Sequence, residues 1–242
     1  MRYGVFGDVH SNLEALQSVV DAMQAEGVGR FLCLGDLVGY GADPSACVDL
    51  VRELEAVTVL GNHDAAVVGI IDSFEFNVFA RAAVDWSRHS LSPDQAQYLK
   101  DLNYVEVLSD DLLIFHATLT NPEEFDYLES EAQAETNFDL MESRVGFFGH
   151  THVPMLFEGG PEEAYYLDAD EVATRQDRKY LVNPGSVGQP RDGRPAAAFA
   201  IYDDEAETVS LRRVEYDVET TQDKILNAGL PEFLAERLGH GM

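Results

Sequence analysis

A chain of 242 residues, 45% of them hydrophobic and 25% charged, can bury one substantial core and is too apolar for a disordered protein. Its 44 acidic residues stand against 16 basic ones, a formal net charge of −28, and such a surface repels nucleic acid polymers and anionic membranes. Self-repulsion on this scale is also a device of halophiles, whose salt would shorten the Debye length to about 3 Å at 1 M and screen an anionic ligand from the surface.

The opening MRYGVFGDVH passes from one basic residue into an apolar run too short for a secretory leader. No stretch approaches the roughly 18 unbroken apolar residues of a membrane span, so a cytoplasmic location is expected. RYGVFG (2–7) reads as a strand, followed by a 3.6-residue period at Leu13, Leu16, Val19, Val20 and Met23 that Ser11 or Asn12 can cap. RFLCLG (30–35), a helical segment at 44–54 and AVTVLG (56–61) complete an alternation that predicts a parallel sheet. Residues 74–102 read as helical throughout, with a fresh start where Ser92 caps and Pro93 takes the first position. Strands are expected at 104–108 and 112–116, then a solvated acidic helix over 123–142. VGFFG, PMLFE, AYYLD, KYLVN, AAAFAIYD and TVSLRRV read as six further strands, and 217–238 as two short helices split at Gly229-Leu230-Pro231. Cys33 and Cys47 are too few for a disulfide framework, and Cys33 within FLCL reads as a small buried hydrophobe.

Residues with chemistry gather where these strands stop: GDVH (7–10), GDLVGYG (35–41), GNHD (61–64), FHAT (115–118) and GHTH (149–152). Ligand sites of open α/β sheets form beyond the carboxyl ends of strands, so the five clusters point into one crevice. Five of the seven histidines fall there. Singly, each has a plainer reading: an Asp after a strand is commonly a cap or turn former, and GHTH can be a polar turn. If GHTH is extended, His150 and His152 face the same way by the two-residue period. Together, imidazole, carboxylate and amide oxygen suit divalent transition metals, and two aspartates with four histidines exceed the needs of one ion, so a dinuclear site is expected. Gly7, Gly35, Gly61 and Gly149 precede the polar residues and permit close backbone approach. A dinucleotide fingerprint is excluded, because Pro44 stands where its last glycine would fall.

GDVHSN, GDLVGYG, GNHD, FHAT and GHTH resemble the five ordered signature blocks of the calcineurin-like metallophosphoesterase superfamily. NPGSVGQPRDGRPAAAFAIYD (183–203) is similar to its small prokaryotic phosphodiesterase branch. The resemblance replaces the parallel sheet with an α/β, four-layer α-β-β-α sandwich of two mixed sheets flanked by helices, with a dimetal site at the sheet rim. It implies a single domain over 1–242 with a helical insert at about 66–102 and C-terminal helices at about 217–238. It implies that Asp8, His10 and His152 hold one metal, that Asn62, His116 and His150 hold the other, and that Asp36 bridges them. His63 would be catalytic, its ring oriented by Asp64. The cofactors would be two divalent ions, manganese first, with iron, zinc or nickel as alternatives. The implied activity is hydrolysis of phosphodiester or phosphomonoester bonds in small substrates, nucleotides among them. A phosphoprotein phosphatase and a non-catalytic scaffold are the alternatives. Asn12, first a helix cap, and Arg191, with Arg194, are candidate substrate contacts, and Tyr40 could stack on a base or merely pack. The insert could roof the site, though its apolar Phe76, Phe79, Val84 and Trp86 favour packing on the sheet.

Overall fold

The computed structural model describes residues 1–74, 76–160 and 163–242. In chain order the elements are β1 (Arg2–Phe6), α1 (Leu13–Ala25), β2 (Arg30–Cys33), α2 (Pro44–Glu53), β3 (Val57–Thr58), α3 (Asn62–Val67), α4 (Val78–Ser90), α5 (Pro93–Lys100), β4 (Val105–Ser109), β5 (Leu112–Phe115), α6 (Glu131–Leu140), β6 (Val145–Phe147), β7 (Met155–Gly159), β8 (Ala164–Tyr166), β9 (Glu171–Ala173), β10 (Lys179–Asn183), β11 (Ala197–Asp203), β12 (Thr208–Val214), α7 (Val218–Asn227) and α8 (Glu232–Glu236). Single 3-10 turns lie at Pro122–Glu124 and Arg237–His240.

These strands make two six-stranded sheets, ordered β3-β2-β1-β11-β12-β9 and β4-β5-β6-β10-β7-β8. Both are mixed: β1, β2 and β3 run parallel while β11 pairs antiparallel with β1, and β5, β6 and β10 run parallel while β4 and β7 oppose them. Alternation along the strands explains why their sequences are apolar at every position rather than every second one. Val5 and Leu32 face inward against Ile114, Phe147 and Val182 of the second sheet. Their neighbours Phe6 and Cys33 face outward against Leu16, Val19, Met23 and Val48 of α1 and α2. On the other side Phe115, Phe157 and Leu181 meet Ala134, Phe138 and Met141 of α6 and its end. The result is the four-layer α-β-β-α sandwich of two mixed sheets, and the purely parallel sheet is excluded.

Several local expectations are corrected. The stretch 74–102 divides into α4 and α5, and residue 75 lies outside the described residues. Asn77 begins α4 by accepting from the Phe79 and Ala80 amides, both at 3.0 Å. Ser92 ends the continuity as expected, its hydroxyl accepting from Gln95 N at 3.2 Å, with Pro93 in the first turn. The acidic segment 123–142 is helical only at α6 and in the preceding 3-10 turn. Strand β9 and helix α3 carry no clear periodic signal, being 3 and 6 residues long. Cys33 and Cys47 are both free and fully buried. No helix among the described residues is long and apolar enough to cross a membrane.

Candidate metal centre

Asp8 and His10 follow β1, Asp36 follows β2, Asn62 and His63 open α3 just after β3, His116 follows β5, and His150 and His152 follow β6. Because β1, β2 and β3 share a direction, as do β5 and β6, each set of strand ends delivers its side chains at one rim. The backbone interlocks there: Asp8 N donates to the Gly35 carbonyl (3.0 Å), His10 N to that of Asp36 (2.9 Å) and Gly149 N to that of His116 (2.8 Å).

The side chains form two clusters able to hold a metal: Asp8, His10, Asp36 and His152, and Asp36, His116 and His150, each with its donor atoms within 4.8 Å of one another. Asp36 belongs to both; its Oδ2 lies 3.6 Å from His10 Nε2 and 3.5 Å from His116 Nε2. Asn62 Oδ1 joins the second, 3.2 Å from His116 Nε2 and 3.1 Å from His150 Nδ1. All the residues expected to be ligands are thus brought together.

The tautomers decide whether these groups fit a cation. Nδ1 of His10 donates to the Val38 carbonyl (3.1 Å), that of His116 to Leu34 (2.7 Å) and that of His152 to Gln189 (2.7 Å). A carbonyl only accepts, so each Nδ1 carries the proton and each Nε2 presents a bare lone pair. His10 Nε2 and His152 Nε2 nevertheless stand 3.0 Å apart. Two converging lone pairs repel unless something positive lies beside both. His150 is reversed: it bonds the Phe125 backbone and turns Nδ1 toward Asn62. The donor set therefore fits divalent metal ions.

Burial reinforces this. It is the main cause holding His10, His150 and His152 well below the usual imidazole range, so they stay neutral, as ligands must. It also raises the Asp8 and Asp36 carboxyls to about 7, against opposing pulls from His116 on Asp8 and from the His63 amide on Asp36. A metal-free centre is thus electrostatically unfavourable for the charges it must carry.

The GHTH segment is not extended. His150 (φ 68°) and His152 (φ 61°) are left-handed, as are Asp8 (φ 50°), His10 (φ 48°) and Asp36 (φ 54°). The two rings consequently serve different clusters instead of facing one way. Left-handed backbone at non-glycine residues costs of order 1–2 kcal/mol each and persists where surrounding structure enforces it. Here the enforcement includes His150 N donating to both Asp8 carboxylate oxygens at 3.1 Å.

His63 lies beside the clusters, its ring 4.8 Å from that of His10 and 4.9 Å from Phe76. Its Nδ1 is buried with no hydrogen-bond partner among the described residues. Burial first, then the Arg191 charge, lowers its pKa to about 3, so the resting imidazole is neutral. Asp64 does not orient this ring. Its carboxylate instead accepts from Val38 N (3.1 Å) and Gly61 N (3.3 Å), because the third helical position of α3 faces the orphan amides of that helix start.

Asn12, 1% exposed, is likewise tied into the fold: Oδ1 accepts from Ala15 N and the Thr221 hydroxyl, both at 3.1 Å, and Nδ2 donates to the Gly188 carbonyl at 3.0 Å. The cap reading holds. Tyr40 packs against His10 and His63. Arg191 stands at the rim, its N donating to the His152 carbonyl at 3.2 Å, whereas Arg194 is exposed. Phe76 touches His63, so the insert reaches the site as well as covering the sheet. Sequence reasoning missed Asn183 and Ser186. Asn183 Nδ2 holds the Gly149 carbonyl (2.7 Å), and the Ser186 hydroxyl holds that of Asp8 (2.8 Å). In NPGSVGQ they look like ordinary turn formers, and only the third dimension shows what they brace. Tyr127, stacked on His150 at 4.3 Å, gave no signal either.

A two-sheet sandwich with two metal-competent clusters sharing one carboxylate at its rim defines a metallophosphoesterase type of fold. The chain belongs to the calcineurin-like phosphoesterase superfamily, whose domain model matches residues 1–207. It is 38% identical over 239 residues to an uncharacterized protein of Methanocaldococcus jannaschii, covering 97% of this chain and 96% of that one. A metallophosphoesterase from Sphaerobacter thermophilus superposes with a TM-score of 0.86 at 37% identity, covering 100% of this chain and 99% of the other. A hypothetical protein from Pyrococcus horikoshii shares the fold, with a TM-score of 0.81 at 21% identity over 100% of this chain and 98% of its own.

Proposed function

We propose that the protein is a dimetal phosphoesterase acting on small phosphate esters, with manganese the leading metal and iron, zinc or nickel as alternatives. The observation that carries this reading is Asp36, whose Oδ2 lies within 3.6 Å of an imidazole Nε2 from each cluster. Asp8, His10 and His152 are assigned to one ion, Asn62, His116 and His150 to the other, and Asp36 to both. When bound, such cations would supply a lowered pKa for water at the centre and positive charge to offset that of a phosphoryl group.

The chain's own residues do the rest. The carbonyls of Val38, Leu34 and Gln189 fix the three Nε2 lone pairs toward the centre, so no imidazole must turn when metal arrives. Asp36 Oδ1 accepts from His63 N at 2.8 Å, which ties the shared carboxylate to the start of α3 and fixes where His63 stands. His63, outside the ligand set and neutral at rest, is assigned to donate a ring N–H hydrogen bond to the departing oxygen as charge develops there. Phe76 and Tyr40 shield its ring from water. The acidic exterior argues against a nucleic acid polymer as substrate.

Assay of p-nitrophenyl phosphate and bis-p-nitrophenyl phosphate with added manganese tests the proposal. Turnover of either that chelation abolishes and manganese restores is expected. Protein shown to hold two ions per chain yet inert on both would point to the scaffold reading.

A further inference from the structure

The unassigned chemistry nearest the centre surrounds Tyr40. Two guanidinium groups share that ring, Arg191 with Cζ 5.8 Å and Arg237 with Cζ 5.9 Å from its centroid. Arg191 comes from the loop after β10, and Arg237 from the C-terminal 3-10 turn, beyond the residues 1–207 that match the family. Leu230, Leu234 and Leu238 hold that turn against Tyr40 and α4, and Phe233 meets Phe79 at 4.9 Å, so Arg237 is anchored rather than trailing.

In a chain with 44 acidic residues, neither arginine pairs with an Asp or Glu side chain among the described residues, whereas Arg52, Arg88, Arg144, Arg175, Arg212 and Arg213 each do. Their donors are also incompletely used. Arg191 Nη2 donates to Gln189 Oε1 (3.0 Å) and the Tyr40 hydroxyl (3.4 Å), but its Nε is buried without a partner among the described residues. So is Nε2 of Gln189, a residue 1% exposed. Arg237 Nε donates to the main-chain oxygen of Met242. Two like charges held around one ring, with idle donors beside them, make a receptor for an anion, and the planar forks suit the oxygens of a phosphate.

We propose that Arg191 and Arg237 form a subsite for a second phosphate of the substrate, adjacent to the phosphoryl group handled at the metal centre. The substrate class is then phosphate esters that carry a further phosphate, as nucleoside diphosphates do. This rests on the proposed function for the cleavage step, but the subsite itself binds with or without turnover. Burial and then the neighbouring Arg191 charge lower the Arg237 pKa to about 10, which leaves Arg237 charged near neutrality.

Calorimetric titration of AMP and ADP onto the protein, with manganese in excess of nucleotide, tests the subsite through the ratio of the two affinities. Wild-type protein is expected to bind ADP about tenfold or more tighter than AMP, Arg237→Gln to bring the ratio within about twofold, and Arg237→Lys to recover part of it. Should Arg237→Gln fail to fold by circular dichroism, Arg191→Gln reads the same ratio. An unchanged ratio in the folded Gln variant, or equal weakening of AMP and ADP, overturns the subsite. Turnover of bis-p-nitrophenyl phosphate by the wild type is scored separately. Discrimination without turnover defeats only the hydrolase reading, and turnover without discrimination defeats only the subsite.

Discussion

Gly61 has an ordinary backbone, φ −91°, yet a Cβ there would lie 2.1 Å from Asp36 Oδ1 and 2.3 Å from Asp36 N. The objection to any side chain is therefore steric, and what must yield is the carboxylate common to both clusters. Gly61→Ala should destabilise the fold by about 1–3 kcal/mol, roughly 2–12 °C in Tm for a chain of this size, and should lose stoichiometric metal by elemental analysis. Gly27→Ala is the control: its φ of +76° imposes backbone strain, but a Cβ there meets nothing within 4 Å, so metal content should stay intact. His63→Ala separates chemistry from assembly. Both ions should remain while turnover falls by about 10²- to 10⁴-fold, and full activity in that variant would remove His63 from its assigned role. The titrating groups supply a third test. Asp8 and Asp36, raised to about 7, hold protons in the folded apo state that the unfolded chain has already lost near pH 4. Stability they contribute is therefore present at low pH and lost as pH rises toward 7. Metal binding must expel those protons, so the manganese-induced rise in Tm should grow between about pH 5 and pH 7, with proton release visible as a buffer-dependent heat. A metal response flat across that window would contradict the burial argument.

Among the elements, α1 shows how one side chain joins distant parts of the chain. Asn12 caps it, yet the same amide reaches Thr221 in α7 and Gly188 in the loop that leads to Arg191. Asn12→Ala should cost about 2 kcal/mol at the cap, or roughly 4–8 °C in Tm, and should raise KM only through that loop. A large loss of kcat would return Asn12 to the reaction. The cap was legible because an Asn before a clean 3.6-residue period is a local signal, and the ties to Thr221 and Gly188 were not, since sequence separations of 209 and 176 leave no local trace. The same division runs through the site. Ligand identities could be read because five polar clusters end five apolar runs. The left-handed turns at His150 and His152 could not, because they are imposed by contacts from Asp8 and Gln189. Asp64 misled for the converse reason: the family resemblance paired it with His63, and the geometry of a helix start sends position 64 to the backbone instead. β9 pairs with β12 over 3 residues and exists only because that edge is there to receive it.

At the scale of the molecule, a net charge of −28 opposes both compaction and the approach of an anionic ester. Only three of its 16 basic residues are lysine, at positions 100, 179 and 224. Each surface ion pair contributes little, typically about 0–1 kcal/mol, so pairing does not offset repulsion summed over the whole surface. Added salt acts on that sum. Raising KCl from about 0.1 M to about 1 M shortens the Debye length from roughly 10 Å to 3 Å. Two consequences should appear together: Tm should climb with KCl, and KM for a phosphate ester should fall as the acidic exterior ceases to repel it. Screening also weakens the attraction of Arg191 and Arg237 for phosphate, but those groups are partly buried and close to their target, where screening is least effective. Net long-range repulsion should therefore fade faster than short-range attraction. Thermal melts and KM measured across the KCl series decide the matter. If Tm is indifferent to KCl, the acidity is not a burden on the fold, and salt adaptation loses its physical basis.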